Sequence, residues 1–130
     1  MILIGEGSLE GKIKDKVDNL RLQSKVSFLG LREDIPQLLK AMDVFLMPSL
    51  YEGLPISAVE AQAANLKIVL STEVSKETAL SENIQFVSLE TSAESWATII
   101  LTKPFDNKPT ENLALYDMKI TAKQLEKVYL

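Results

Sequence analysis

Two carboxylates, Glu52 and Glu60, stand with seven residues between them in the stretch that begins Pro48-Ser49-Leu50-Tyr51-Glu52-Gly53-Leu54-Pro55. An ionised carboxylate accepts two hydrogen bonds at once, which matches the vicinal hydroxyls of a ribose or a hexose. Charge-assisted contacts of this kind are stronger than neutral ones. Polyol recognition is therefore the chemistry the pair suits. Spacing alone fits two solvated charges equally well, because glutamate is mostly exposed. The elements that carry the pair must separate the two readings.

Composition removes most other chemistries. The chain has no histidine and no cysteine, which excludes a Ser-His-Asp triad, an imidazole base, a His-ligated zinc, a disulfide and a thiol nucleophile within it. The acidic residues, among them Glu10, Asp15 and Asp18, lack metal-loop spacing. No metal and no cofactor are expected. A formal charge of -4 and dispersed lysines provide no positive field for a phosphate backbone, so nucleic acid is not an expected partner. No apolar run approaches the roughly 18 residues needed to span a bilayer. Met1-Ile2-Leu3-Ile4 is too short and uncharged for a signal peptide. The expected location is the cytoplasm.

At 130 residues, 46% hydrophobic and 25% charged, the chain has the balance of one domain, residues 1–130, with one core. Met1 to Ile4 reads as a strand opening onto Gly5-Glu6-Gly7, with Ser8 as the expected N-cap of the following helix. Leu9, Ile13, Val17 and Leu20 recur at helical spacing and predict an inward face. Lys25 to Leu29 reads as a strand closed by Gly30, and Asp34 as the cap of a short helix carrying Pro36, Leu38, Leu39 and Met42. Val44-Phe45-Leu46-Met47 is continuously apolar, the pattern of a central strand buried on both faces.

Pro55 to Asn65 reads as a helix whose alanines let it lie close to a sheet, and Lys67 to Leu70 as the next strand. Ile84 to Leu89 reads as the last strand. Thr91 with Glu94 has the form of a capping box, ahead of a helix with Trp96, Ile99 and Ile100 inward. Residues 103–110 read as a linker, and 117–130 as a terminal helix with Ile120, Leu125, Val128 and Tyr129 inward. Strands alternating with helices predict an α/β, doubly wound, mainly parallel Rossmann-like sheet with helices on both faces. Ligands of such sheets bind beyond the strands' C-terminal ends. Glu52 then lies in the crest loop and Glu60 inside the following helix, whose first amides favour an anion such as a diphosphate against Gly53 to Ser57.

Four segments together resemble the C-terminal domain of GT-B glycosyltransferases of family 4, the retaining enzymes that build bacterial polysaccharides and glycolipids. They are Ile4-Gly5-Glu6-Gly7; Val26 to Gly30 with Arg32 and Asp34; Asp43 to Ser49; and the glutamate pair. The resemblance covers Ile2 to about Tyr129. It implies that Glu52, the catalytic candidate, contacts donor-sugar hydroxyls. Gly53, Leu54, Pro55 and Ile56 would bring backbone near the diphosphate, and Glu60 would hold the ribose hydroxyls. Leu31 and Arg32 would lie near the base, with Gly5 and Gly7 as further donor-side positions. Arg32 is as well placed to pair with Glu33 or Asp34.

The implied donor is a UDP- or GDP-linked sugar, passed to a growing polysaccharide or glycolipid without a metal. Positioning and electrostatic stabilisation carry most of such a reaction, which suits a chain without histidine.

Family members usually carry a glycine and a proline where this chain has Asn65 and Lys67; Asn tolerates the left-handed cap. They also begin with a strand and helix bearing a basic pair, and with an acceptor-binding N-terminal domain. Neither precedes Met1 here. The expectation is an inactive fragment, open in mid-sheet and prone to homodimerisation or strand swapping. It would meet the inner face of the membrane only peripherally, through the full-length enzyme.

The alternative is a stand-alone binding or assembly module of the same fold. A dinucleotide fingerprint is set aside because Glu10 occupies the third glycine's place. A GT-B epimerase or phosphorylase is disfavoured by the glutamate spacing. Trp96, Tyr129, Met42 and Met47 are read as core residues.

Overall fold

The computed structural model describes residues 1–102 and 116–129. The chain packs as two compact units, Met1–Ile35 and Pro36–Leu130. In the first unit a short strand β1 (Ile2–Leu3) runs parallel to β2 (Ser27–Phe28), with α1 (Glu10–Asn19) between them in sequence. No Ser8 cap forms: α1 starts after Leu9, without a side-chain hydrogen bond at its N-terminus. Leu9's own geometry places it at the cap, and leucine has no oxygen to offer.

The expected inward face of α1 is only partly realised. Val17 is buried, but Leu9, Ile13 and Leu20 are 57%, 43% and 57% exposed. Helical spacing orients these side chains to one side, yet burial needs an apolar surface to receive them, and a pair of two-residue strands is too small a platform. The helix ends in a six-to-one and a five-to-two backbone bond, Leu22 to Val17 and Arg21 to Asp18. Arg21 takes the left-handed conformation that closes such a turn, φ 56°.

The second unit opens with α2 (Ile35–Lys40), followed by β3 (Val44–Met47), α3 (Ile56–Ala63), β4 (Lys67–Ser71), a 3₁₀ turn (Lys76–Thr78), β5 (Ile84–Val87) and α4 (Ala93–Thr102). Its three strands form a parallel sheet in the order β3-β4-β5. The central strand is therefore β4, all five residues of which are buried. β3 is an edge of this sheet among the described residues, with Leu46 38% exposed, and this corrects the reading of Val44–Met47 as central. An apolar run reports that a strand prefers burial, whereas its place in the sheet depends on strands distant in sequence.

Along β4 the pleat sends alternate side chains to opposite faces. Val69 meets Val87 and Trp96, with Val44, Leu89, Ile99 and Ile100 around them. Ile68 and Leu70, with no exposed surface, point the other way. Trp96 uses its indole N–H on the Ser88 carbonyl at 3.1 Å, so its ring is buried with its polar atom satisfied. The capping oxygen of α4 is Ser92, which accepts from the Ser95 amide, and not Thr91. Two serines spaced i, i+3 closed the turn one residue later than the expected box.

α3 lies against β4 through Ala58 and Ala61, both without exposed area. It ends in the same double bond pattern as α1, Leu66 to Ala61 and Asn65 to Gln62. Asn65 has φ 59°, so asparagine fills the left-handed position usually given to glycine. Lys67 sends its Nζ to the carbonyls of Ile99 and Ile100, at 2.6 and 2.7 Å. These are last-turn carbonyls of α4, where a cation opposes the helix dipole. The buried lysine at the start of β4 is thereby accounted for.

α5 (Met118–Tyr129) follows. Ile120, expected inward, is exposed at 40%. The side chains of Leu125, Val128 and Tyr129, and the linker at 103–110, lie outside the described residues. Among the described residues all strand pairs are parallel and strands alternate with helices, the open α/β architecture expected.

Candidate functional site

The expected site residues fall into two groups, one in each unit. Glu52, Gly53, Leu54, Pro55, Ile56 and Glu60 occupy the β3–α3 loop and α3, beyond the C-terminal end of β3. Gly5, Gly7, Leu31 and Arg32 follow β1 and β2 in the first unit. There the Gly5 amide donates to the Gly30 carbonyl at 2.8 Å, which joins the turn after β1 to the turn after β2. Gly5 and Gly30 have φ of 114° and 62°, a backbone region that side chains rarely allow.

Glu52 is braced through its backbone and through its side chain. Its carbonyl accepts from the Ser75 amide at 3.2 Å, and its backbone forms a parallel bridge with Val74, itself buried. Its carboxylate Oε1 accepts from the Ser49 hydroxyl at 3.3 Å. The Ser49 carbonyl in turn accepts from the hydroxyl of Ser71, a fully buried residue at the end of β4. The glutamate is half-buried.

The segment that receives it is itself anchored by Gln62 of α3. The Gln62 amide nitrogen donates to the carbonyls of Ala58 and Thr78, at 3.1 and 2.8 Å. Its oxygen accepts from the Leu80 amide and the Ser81 hydroxyl, at 3.0 and 3.1 Å. Both donors and both acceptor positions of the amide are used, as burial at 1% exposure demands. Ser49, Ser71, Val74 and Gln62 escaped the reading of the sequence as supporting residues. Only Ser49 had a local signal, its place three residues before Glu52.

Glu60 differs in every respect. It is exposed on α3, and among the described residues its carboxylate meets no hydrogen-bond or ion-pair partner. Pro55 precedes α3 in extended conformation and provides no side-chain cap. The amides of Ile56 and Ser57 therefore point out from the helix start without a capping acceptor among the described residues, a geometry that receives an anion. Gly53 has neither a left-handed φ nor any atom within 4 Å of the place a Cβ would take. Neither backbone nor packing requires glycine there.

Arg32 makes a bidentate contact with Asp34, Nε to Oδ1 at 2.8 Å and Nη2 to Oδ2 at 2.7 Å. Of the partners open to it, the structure selects Asp34. The hydrogen bond and the opposite charge raise the arginine pKa, and the same hydrogen bond holds the Asp34 carboxyl below its ordinary range. Both side chains remain about two-fifths exposed. Leu31 is 74% exposed beside them.

Beyond the C-terminal ends of parallel strands, a braced carboxylate, an uncapped helix start and a second carboxylate one turn on can hold a hydroxylated anion. A family model for glycosyl transferases group 1 matches residues 1–102. The chain belongs to that family.

Proteins similar to this chain include the Escherichia coli UDP-Gal:alpha-D-GlcNAc-diphosphoundecaprenol alpha-1,3-galactosyltransferase. The two are 39% identical over 71 residues, 54% of this chain and 18% of that protein. The amylovoran biosynthesis glycosyltransferase AmsK of Erwinia amylovora is 31% identical over 108 residues, 76% of this chain and 26% of that protein. The chain thus spans about a fifth to a quarter of the length of these curated relatives. The structure of Anabaena Alr3699/HepE in complex with UDP-glucose superposes with a TM-score of 0.73 at 24% identity, covering 98% of this chain and 40% of that one. The fold is that of the C-terminal domain of GT-B glycosyltransferases, as the resemblance implied.

Proposed function

We propose that this chain is the donor-binding part of a retaining group 1 glycosyltransferase of family 4. In this reading residues 1–130 act as one domain that holds a nucleotide diphosphate sugar, UDP- or GDP-linked. The whole enzyme moves the sugar to a growing polysaccharide or glycolipid. Glu52 contacts the sugar hydroxyls, the backbone from Gly53 to Ile56 lies along the diphosphate, and Glu60 accepts from the ribose hydroxyls. Leu31 and Arg32 stand near the base, with Gly5 and Gly7 on the donor side.

The observation that carries the reading is the contrast at the β3–α3 loop. One carboxylate is held in place, and beside it lie helix amides that no side chain among the described residues caps. Gly53 is compatible with the reading, since a residue without a Cβ leaves room for a ligand to approach the backbone. The names of the relatives, a galactosyltransferase using UDP-Gal and an amylovoran biosynthesis enzyme, agree in substrate class.

Transfer with retention asks for positioning and for stabilisation of charge on the departing diphosphate. We place the reaction in the cytoplasm, at the inner membrane face, with an acceptor-binding domain as partner. No helix among the described residues is long and apolar enough to cross a membrane.

Titration calorimetry with UDP, GDP and their sugar conjugates tests the donor site. Glu60→Ala is expected to weaken nucleotide diphosphate binding about ten-fold, the worth of hydrogen bonds to a charged group. Equal affinity in wild type and variant removes the ribose role.

A second reading, an assembly module that recruits a partner or a second copy, draws on the side of β3 left unpaired among the described residues and on the exposed face of α1. Sedimentation showing a stable monomer counts against the second copy as that partner.

A further inference from the structure

We infer that Ser49 is the positioning residue of Glu52, and that Ser71 holds Ser49 in place. The inference rests on the reading above, in which Glu52 meets the donor sugar. The backbone of Glu52 needs no help from Ser49, because the Ser75 amide and the Val74 bridge already fix it. What the Ser49 hydroxyl adds is confined to the side chain.

It donates to Oε1 at 3.3 Å and so restricts the carboxylate to the rotamers that keep this contact. Oε2 is left to accept from a ligand. A glutamate without such a partner loses rotamer entropy on binding, a cost that a hydrogen bond already present in the free protein removes in advance. Ser71 completes the chain of contacts from the core. It has no exposed surface, and its hydroxyl donates to the Ser49 carbonyl. The end of the central strand β4 thus sets the place of Ser49, and Ser49 sets the direction of Glu52.

The alternative is that Ser49 stabilises the loop and nothing more. The two roles separate when UDP and UDP-glucose are titrated in parallel into the 130-residue chain, because only the sugar nucleotide reaches Glu52. Ser49→Ala is expected to lower the affinity for UDP-glucose about five-fold, the net worth of one hydrogen bond. UDP affinity and the denaturation midpoint stay as in wild type. Ser49→Thr, which keeps the hydroxyl, restores the difference.

Equal weakening of UDP and UDP-glucose shows a structural role and overturns the proposal. Glu52→Gln is the control. If it loses the sugar-dependent affinity and Ser49→Ala does not, positioning by Ser49 is wrong while the Glu52 reading stands. If Glu52→Gln changes neither affinity, the Glu52 reading falls and takes this one with it.

A second measurement needs no ligand. The ¹³C resonance of the Glu52 carboxyl is expected to move in Ser49→Ala and to return in Ser49→Thr, with that of Glu60 unchanged as an internal reference. A Glu52 resonance that stays in place in Ser49→Ala refutes the contact itself.

Discussion

The two compact units use the same local patterns and reach different degrees of burial. In Pro36–Leu130 a five-residue strand is covered completely, and its neighbours bring in helices on short connections. In Met1–Ile35 a ten-residue amphipathic helix meets two strands of two residues each, and only Val17 of its apolar face is buried. The comparison teaches that hydrophobic periodicity selects an orientation, while the extent of the receiving surface decides how much stability follows. The braced carboxylate belongs to the well-buried unit. Its supports come from β4 and from the segment that Gln62 anchors, both tied into the packed core.

Truncating the central strand is the strongest way to test that difference. Leu70→Ala removes a side chain with no exposed surface, and a cost of about 2–5 kcal/mol is expected from lost transfer energy plus the cavity left behind. Urea denaturation followed through Trp96, the single tryptophan, reads this unit because its ring packs on Val69, on the opposite face of the same strand β4. A loss under about 1 kcal/mol would show that the sheet relaxes around the gap, and the contrast between units would weaken.

A smaller effect is expected from Gln62→Ala. The substitution removes four hydrogen bonds of a side chain that is 1% exposed, while the Leu80 amide and the Thr78 carbonyl keep each other at 3.0 Å, and about 1–3 kcal/mol is the expected cost of the bonds lost. Hydrogen exchange should report the change first at Leu80, before the strands open. Uniform loss of protection across β3, β4 and β5 would mean that the anchor acts on the whole unit and not on the loop that braces Glu52.

Much of this arrangement was legible in the residues, and the boundary is physical. The apolar runs at 44–47, 67–70 and 84–89 each became a strand, and the helix from 55 to 65 formed close to its expected limits, because these signals are local. Glu52 and Glu60 were visible as a pair for the same reason. The rank of the strands was not, since β3 and β4 are both apolar and only their pairing partners distinguish edge from centre. Ser71 and Gln62 were also hidden. Ser71 reaches its partner across 22 residues, and Gln62 reaches Thr78, Leu80 and Ser81 across 16 to 19. No periodicity encodes such contacts. The cap of α4 was missed by one residue because Thr91 and Ser92 both have a hydroxyl, and only backbone geometry chooses between them.

The smallest expected effect lies on the exposed face of α1. Ile13 is 43% exposed and, with Leu9, borders a groove of about 230 Å³ lined also by Leu3, Ile4 and Phe28. Ile13→Ser therefore removes a side chain already two-fifths in water, and a loss of about 1 kcal/mol or less is expected. The first unit contains no tryptophan or tyrosine, so the readout is amide exchange along α1. If the substitution instead costs several kcal/mol, something covers this face in solution. Repeating the measurement across a hundred-fold range of protein concentration then decides what. A cost that grows with concentration identifies a second copy as the cover, because mass action stabilises only what binds the folded state. A cost independent of concentration places the cover within the chain itself. Either outcome would replace the contrast between a covered and an open unit with one between two covers of different origin.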